Sequence, residues 1–294
     1  MKVLGIVGSY RRQGNTEVLV KEALMAAEEE GAQVDVLRLN NYNIESCRGD
    51  GRCESGIRPC HIQDDFNYLL DRIYQNDGII LGVPCYFLAA PGIFKLFLDR
   101  TVSVGYPTSL LGKPAAILVP YGNRGYINYA LVQPNILLLK WGMKVVDQAI
   151  IQSGPPGDAM LNERALARAR SMGKAVVGAL KTGDSTFRGD KGLCPVCHDR
   201  NIRIFRDMET VECPTCSIRG KLTLVEGKIQ VTFTEEDAQR GRYSAEDWYR
   251  HHMYHVEPGL ERFIATKELR KGKRGKYSDY LGIDKKESEV ASQP

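Results

Sequence analysis

Short apolar runs alternate with amphipathic stretches through the first part of the chain. Val3-Leu4-Gly5-Ile6-Val7 is followed, over residues 16–30, by Val18, Leu19, Leu24 and Met25 at helical spacing, with Glu28, Glu29 and Glu30 facing out and Gly31 closing the segment. The pattern predicts a strand and an amphipathic helix. Four further strands are predicted over residues 34–39, 77–83, 115–120 and 144–151. Helices are predicted between and after them over residues 64–75, 91–102, 126–141 and 158–180, the third disturbed at Pro134. Asp77-Gly78-Ile79-Ile80-Leu81-Gly82-Val83 is apolar almost throughout, as a strand in a parallel sheet covered on both faces must be. Strands alternating with helices five times give an α/β fold with a doubly wound, five-stranded parallel sheet.

Three predicted strand ends carry chemistry. The first strand empties into Gly8-Ser9-Tyr10-Arg11-Arg12-Gln13-Gly14-Asn15-Thr16, where helix-start N–H groups, the Ser9 and Thr16 hydroxyls and the Arg11 guanidinium can converge on one anion. The loop lacks the Lys of a G-x-x-x-x-G-K-[ST] loop and the spacing of a G-x-G-x-x-G fingerprint, which argues against nucleoside triphosphates and dinucleotides. The terminal phosphate of FMN, bound where a doubly wound sheet reverses its strand order, is the remaining common tenant; an ordinary βα turn is the alternative. The third strand ends in Pro84-Cys85-Tyr86-Phe87 and the fourth in Tyr121-Gly122-Asn123-Arg124-Gly125. A phosphate cradle, an aromatic wall and a Gly-rich polar loop on one sheet edge are the three parts of a flavin mononucleotide site.

GSYRRQGNT, the DGIILGVPCYF run at 77–87 and the FKLFLDR helix at 94–100 resemble the NADPH-dependent FMN reductase and iron–sulfur flavoprotein family over about residues 1–180. The resemblance implies a flavodoxin-like fold, tightly bound FMN, and dimers or tetramers whose subunits complete one another's flavin sites. It assigns Ser9, Arg11, Gln13, Asn15 and Thr16, with Gly14 in the same loop, to the phosphate. It places Pro84, Cys85, Tyr86 and Phe87 along the isoalloxazine ring and Tyr121, Gly122, Asn123, Arg124 and Gly125 on its other side. Asp99 and Arg100 match the pattern too and are assigned to helix capping or an interface.

Eight cysteines in a chain without a signal-peptide pattern point to ligands rather than disulfides. Cys85, alone in its turn, is assigned to flavin lining. Cys47, Cys53 and Cys60 lie in a loop without usable period over residues 40–63. Iron–sulfur members of the family carry C-x2-C-x2-C and a fourth Cys a few residues on, and here the second ligand position is Asp50. A [4Fe–4S] cluster with Asp50 or an external ligand, a remnant loop of free thiols, and thiol catalysis all remain open. Cys194-x2-Cys197 and Cys213-x2-Cys216 are two metal knuckles that together complete an S4 site. Strand-like residues 202–205, 222–225 and 229–233 make this module resemble a zinc ribbon, more distantly a rubredoxin. His198 and Ser217 stand where rubredoxin knuckles usually carry Gly, which favours zinc over iron.

The expected division is residues 1–182 for the FMN domain, 183–234 for the ribbon, and 235–294 for a helical extension with a disordered tail after about Asp284. Ser244-Ala-Glu-Asp247 signals a helix start. His251 and His255, at i and i+4, lack the surrounding HExxH pattern and are assigned to packing or exposure. Net charge is +4 and evenly spread, with 20 Lys+Arg against 17 Asp+Glu before residue 183 and 20 against 19 after it. That gives no support to nucleic-acid binding; the basic stretch at 262–276 is read as a solvated helix end. No apolar run approaches a membrane-spanning length, so a cytoplasmic protein is expected. The function expected is an FMN-dependent oxidoreductase, with NAD(P)H or a redox protein as donor. An electron-carrier flavoprotein and a metal-stabilised interaction protein on a flavodoxin scaffold are the alternatives.

Overall fold

The computed structural model describes residues 1–53, 59–104, 108–190 and 192–278. Five parallel strands, β1 (Lys2–Val7), β2 (Gln33–Arg38), β3 (Gly78–Gly82), β4 (Pro114–Tyr121) and β5 (Lys144–Gln152), lie in the order β2-β1-β3-β4-β5. The winding reverses between β1 and β3, which opens a crevice beyond their carboxyl ends. Every residue of β3 is buried, as its apolar run requires.

Helices α1 (Asn15–Glu29), α2 (Phe66–Tyr74), α3 (Gly92–Arg100), α4 (Val132–Lys140) and α5 (Glu163–Thr182) cover the sheet. One face packs Leu19, Val20 and Ala23 of α1 with Met172 and Val176 of α5. The other packs Phe66, Phe94 and Phe97 with Trp141. Gly173 permits the α1–α5 approach, because a Cβ there would sit 1.9 Å from the Ala23 carbonyl oxygen.

Two helices start later than the periodicity predicts. α4 begins at Val132 because Pro134 is tolerated only in a first helical turn, and this leaves residues 122–131 as a long edge loop. α5 is preceded by a 3-10 turn at Asp158–Leu161 and begins after Asn162, whose Oδ1 accepts from the Ala165 N–H at 3.1 Å. Gly183, at φ 74°, ends it.

The knuckles follow with an antiparallel sheet, β6 (Arg203–Ile204), β7 (Thr210–Glu212), β8 (Arg219–Val225) and β9 (Lys228–Thr232). β7 is too short to carry a readable alternation. The linker and ribbon dock on the β5 edge: the Arg188 N–H donates to the Val146 carbonyl at 2.8 Å and Gln148 Nε2 donates to the His198 carbonyl at 2.9 Å.

Residues 1–248 form one compact unit and 249–294 a second. Helices α6 (Glu235–Gln239) and α7 (Ala245–His251) come next in the chain, and Ser244 Oγ caps the latter by accepting from the Asp247 N–H at 3.1 Å. The second unit continues through a π-helical turn (His252–Val256) into α8 (Glu257–Ala265) and the basic α9 (Lys267–Ser278). The His251 and His255 rings lie 5.5 Å apart on a mostly exposed helical stretch. The tail expected after about Asp284 lies outside the described residues. No described helix is long and apolar enough to cross a membrane.

Candidate functional site

The three loaded strand ends wall one cavity of about 460 Å³. Ser9, Arg11, Asn15 and Thr16 line it from the β1–α1 loop, Pro84, Cys85, Tyr86 and Phe87 from the end of β3, and Tyr121, Gly122 and Asn123 from the end of β4. Gln13, Gly14, Arg124 and Gly125 are not among the lining residues. Gln13 and Gly14 shape the loop instead. Gln13, at φ 52°, donates its N–H to Glu17 Oε2 at 2.8 Å, and the Gly14 carbonyl accepts from the Val18 N–H at 3.1 Å. Gly125, at φ 88°, turns the edge loop, and Arg124 is exposed.

Asn15 lines the cavity with its amide already engaged. Its Nδ2 donates to the Pro155 carbonyl at 3.0 Å, and its Oδ1 accepts from the Ala159 N–H at 3.1 Å. It ties the β1–α1 loop to the loop after β5. Arg11 stands over the Tyr86 ring at 5.7 Å, joining the anion loop to the aromatic wall. Phe87 and Leu88 hold φ of 43° and 74°, strained for side chains of this size, and the turn presents Phe87 at 91% exposure beside the cavity. The Cys85 thiol donates to the Tyr126 carbonyl at 2.9 Å, and burial pushes its titration up, so it stays protonated at neutral pH.

The sequence reading missed Tyr126, Ser153 and Gly154, which complete the lining with Pro120. Ser153 follows β5 directly, on the edge where the other loops gather, and that position was its only signal. Its Oγ is buried with no hydrogen-bond partner among the described residues. A buried hydroxyl left unpaired in a cavity wall is a group waiting for a ligand.

The four ribbon sulfurs meet as the spacing predicts. Cys194, Cys197, Cys213 and Cys216 are all buried, with every Sγ within 4.8 Å of the others and the 194–216 and 197–213 pairs at 3.4 Å. A tetrahedral ion with metal–sulfur bonds of ~2.3 Å has sulfur–sulfur edges of about 3.8 Å, so the quartet fits a metal. His198 and Ser217 take the left-handed conformation, at φ 55° and 61°, that Gly would adopt more easily. Both knuckles therefore hold their turn without glycine, and the missing Gly no longer separates zinc from iron.

Arg100 is 1% exposed, and its side chain, which makes no helix-cap hydrogen bond, turns inward to Cys60, Asp64 and Glu45. Its Nη1 and Nη2 reach Asp64 at 2.5 and 3.1 Å, Nη1 also donates to the Glu45 carbonyl at 3.0 Å, and Nε donates to Cys60 Sγ at 3.2 Å. Asp99 pairs with Lys95 at the surface. The Cys53 thiol is pushed up by burial and by the Cys60 and Cys47 sulfurs near it. Lys140 donates to the Thr101 carbonyl, and burial brings its ammonium down to about 8. Asp50 lies 3.1 Å from His61 Nε2 and 3.6 Å from Arg52 Nε.

A sheet wound 2-1-3-4-5 with an anion loop, an aromatic wall and a polar loop around one carboxyl-edge cavity defines the flavodoxin-like, mononucleotide-binding class. Residues 1–154 match the family described as NADPH-dependent FMN reductase, and the chain belongs to that family. An iron–sulfur flavoprotein of Methanocaldococcus jannaschii is 33% identical over 62% of this chain and 98% of its own length. A flavone synthase of Aspergillus candidus is 26% identical over 89% of this chain and 90% of its own length. A solved structure titled flavone reductase superposes at a TM-score of 0.77 with 24% identity, covering 98% of this chain and all of the other, a likeness of fold. The chain is an FMN-dependent oxidoreductase.

Proposed function

We propose that this oxidoreductase exchanges a hydride between NAD(P)H and a planar aromatic ketone of the flavone type. The observation that carries the reading is the extent of likeness. The flavone synthase aligns through the ribbon and helices, whereas the iron–sulfur flavoprotein relative covers 62% of the chain. FMN, when bound, supplies the hydride relay.

In this reading Arg11, Ser9 and Thr16 hold the phosphate, Ser153 Oγ finds its partner on the cofactor, and Asn15 positions the two loops. Tyr86, Phe87, Tyr121 and Tyr126 give a flat ligand aromatic walls, and the protonated Cys85 adds no charge beside it. Phe87, Tyr126 and Tyr129, exposed at 91%, 55% and 57%, support a homo-oligomer in which a second subunit completes the cavity mouth. The closed, buried S4 shell supports zinc in a structural role. The engaged Asp50 supports electron transfer without a cluster in the 47–60 loop.

The test is anaerobic incubation with NADPH and flavone (2-phenylchromen-4-one). One hydride and one proton add across the ring C=C bond conjugated to the carbonyl, NADPH becomes NADP⁺, and the product gains two hydrogens. NADPH consumption that flavone does not raise, alongside rapid turnover with a redox protein, would return the reading to an electron carrier. Arg11→Ala should weaken FMN binding about 10- to 100-fold, the effect of one charge-assisted hydrogen bond, as read by fluorescence titration of the apoprotein.

A further inference from the structure

Residues 121–130, the last of β4 and most of the edge loop, carry three lining residues and Tyr126 of the flavin cavity, yet most of them are exposed between Gly122 and Tyr129. A wall built from such a segment needs anchors outside itself. Two come from the turn after β3: Cys85 Sγ donates to the Tyr126 carbonyl at 2.9 Å, and the Tyr129 N–H donates to the Leu88 carbonyl at 2.8 Å. Another comes from the end of β5, where the Ser153 N–H donates to the Tyr121 carbonyl at 2.8 Å, and a fourth from the ribbon, where Asn201 Nδ2 donates to the Asn128 carbonyl at 2.9 Å.

Asn201 is itself held by the metal module. Asp199, two residues past the first knuckle, is 1% exposed. Its Oδ1 accepts from both the backbone N–H and the side-chain amide of Asn201 at 2.9 Å. Its Oδ2 accepts from the hydroxyl of Thr215, which lies inside the second knuckle, at 2.5 Å. The Asp199 carbonyl accepts from the Leu193 and Cys194 N–H groups at 2.9 and 3.1 Å. One buried carboxylate thus joins both knuckles to the side chain that reaches the loop. No described residue of the ribbon lines the flavin cavity, so an influence of the described module on the reaction must pass through such a contact.

We propose that Asn201 is a positioning residue for the oxidoreductase reaction: through the Asp199 bracket, the four-cysteine module sets the acceptor-side wall at 121–130 while leaving the phosphate loop alone. The Asp199 bond to the residue 201 backbone does not need the Asn201 side chain, so Asn201→Ala removes the reach to Asn128 and keeps the knuckle turn.

The experiment compares Asn201→Ala with the parent as FMN- and metal-loaded full chains, using NADPH-driven reduction of menadione and amide hydrogen exchange. Losing one net hydrogen bond should raise the KM for menadione about three- to tenfold, with kcat, FMN affinity and metal content within twofold of the parent. Exchange should quicken within residues 121–130 and stay unchanged at 8–16. The exchange measurement needs no acceptor and reads the wall itself; quickened exchange beside an unchanged KM overturns the positioning role. Unchanged exchange at 121–130 overturns the assignment, as does a loss shared equally by kcat and FMN affinity or one accompanied by loss of metal.

Discussion

Arg100→Met is expected to destabilise the first compact unit by about 3–5 kcal/mol, because it leaves a buried carboxylate without its counter-ion. Both side chains of the Arg100–Asp64 pair are fully buried, and the guanidinium also serves the Glu45 carbonyl and Cys60 Sγ. Methionine fills much of the volume and stacks on Phe66, over which the Arg100 guanidinium sits at 4.7 Å, so the loss is electrostatic rather than a cavity. Urea titration followed by the fluorescence of buried Trp141 reads it.

The pH dependence distinguishes this mechanism. Burial alone would raise the Asp64 carboxyl, but the Arg100 hydrogen bond, the Glu45 and Phe66 N–H groups and the Arg100 charge outweigh it and hold the carboxyl below its ordinary value. A depressed folded-state value contributes stability that is fully present above about pH 4 and is lost as pH falls through it. In Arg100→Met the same buried carboxyl titrates above its unfolded value, so protonation favours the folded variant. The gap between variant and parent should therefore narrow on acidification. A loss under ~1 kcal/mol, or a gap constant from pH 7 to pH 4, would show that the pair does not bear on stability.

The core of the fold could be read from the chain because its signals are local. The apolar runs at β1, β3 and β4 and the Cys-x2-Cys spacings are properties of neighbouring residues, and each reached its expected place. What escaped the sequence depends on partners far along the chain. Arg100 looked like a helix end because Asp64 lies 36 positions away, and the tie from Asn15 to the loop after β5 was invisible because Pro155 lies 140 away. Ser153 was passed over because the residues around it carry no motif; only the parallel sheet brings the end of β5 to the same edge. The late start of α4 had a local signal in Pro134, and placing that proline in the first turn would have exposed the 122–131 loop.

Cys197→Ser should abolish metal binding and unfold the ribbon while leaving FMN bound. Beyond its four cysteines the ribbon fully buries only the apolar side chains of Val211 and Ile218 among the described residues, with Val196, Phe233 and Tyr243 half-buried against the cluster, a small core for a module to fold on without its ion. A bound divalent ion replaces the protons of the thiols, and its affinity becomes folding free energy, about 10–16 kcal/mol for structural zinc at neutral pH. The variant should lose its bound ion by elemental analysis and become cleavable by protease within residues 194–232. Its FMN affinity should stay within a few-fold, because the phosphate loop and the aromatic wall hang on β1 and β3. Its acceptor KM should rise at least as far as that of Asn201→Ala, since the Asp199 bracket goes with the knuckles. A metal-free ribbon that resists protease would show that docking on β5 through Gln148 and the residue 188 backbone suffices to fold it. An unaltered KM in a protein whose ribbon is demonstrably cleaved would separate the metal from the flavin cavity altogether.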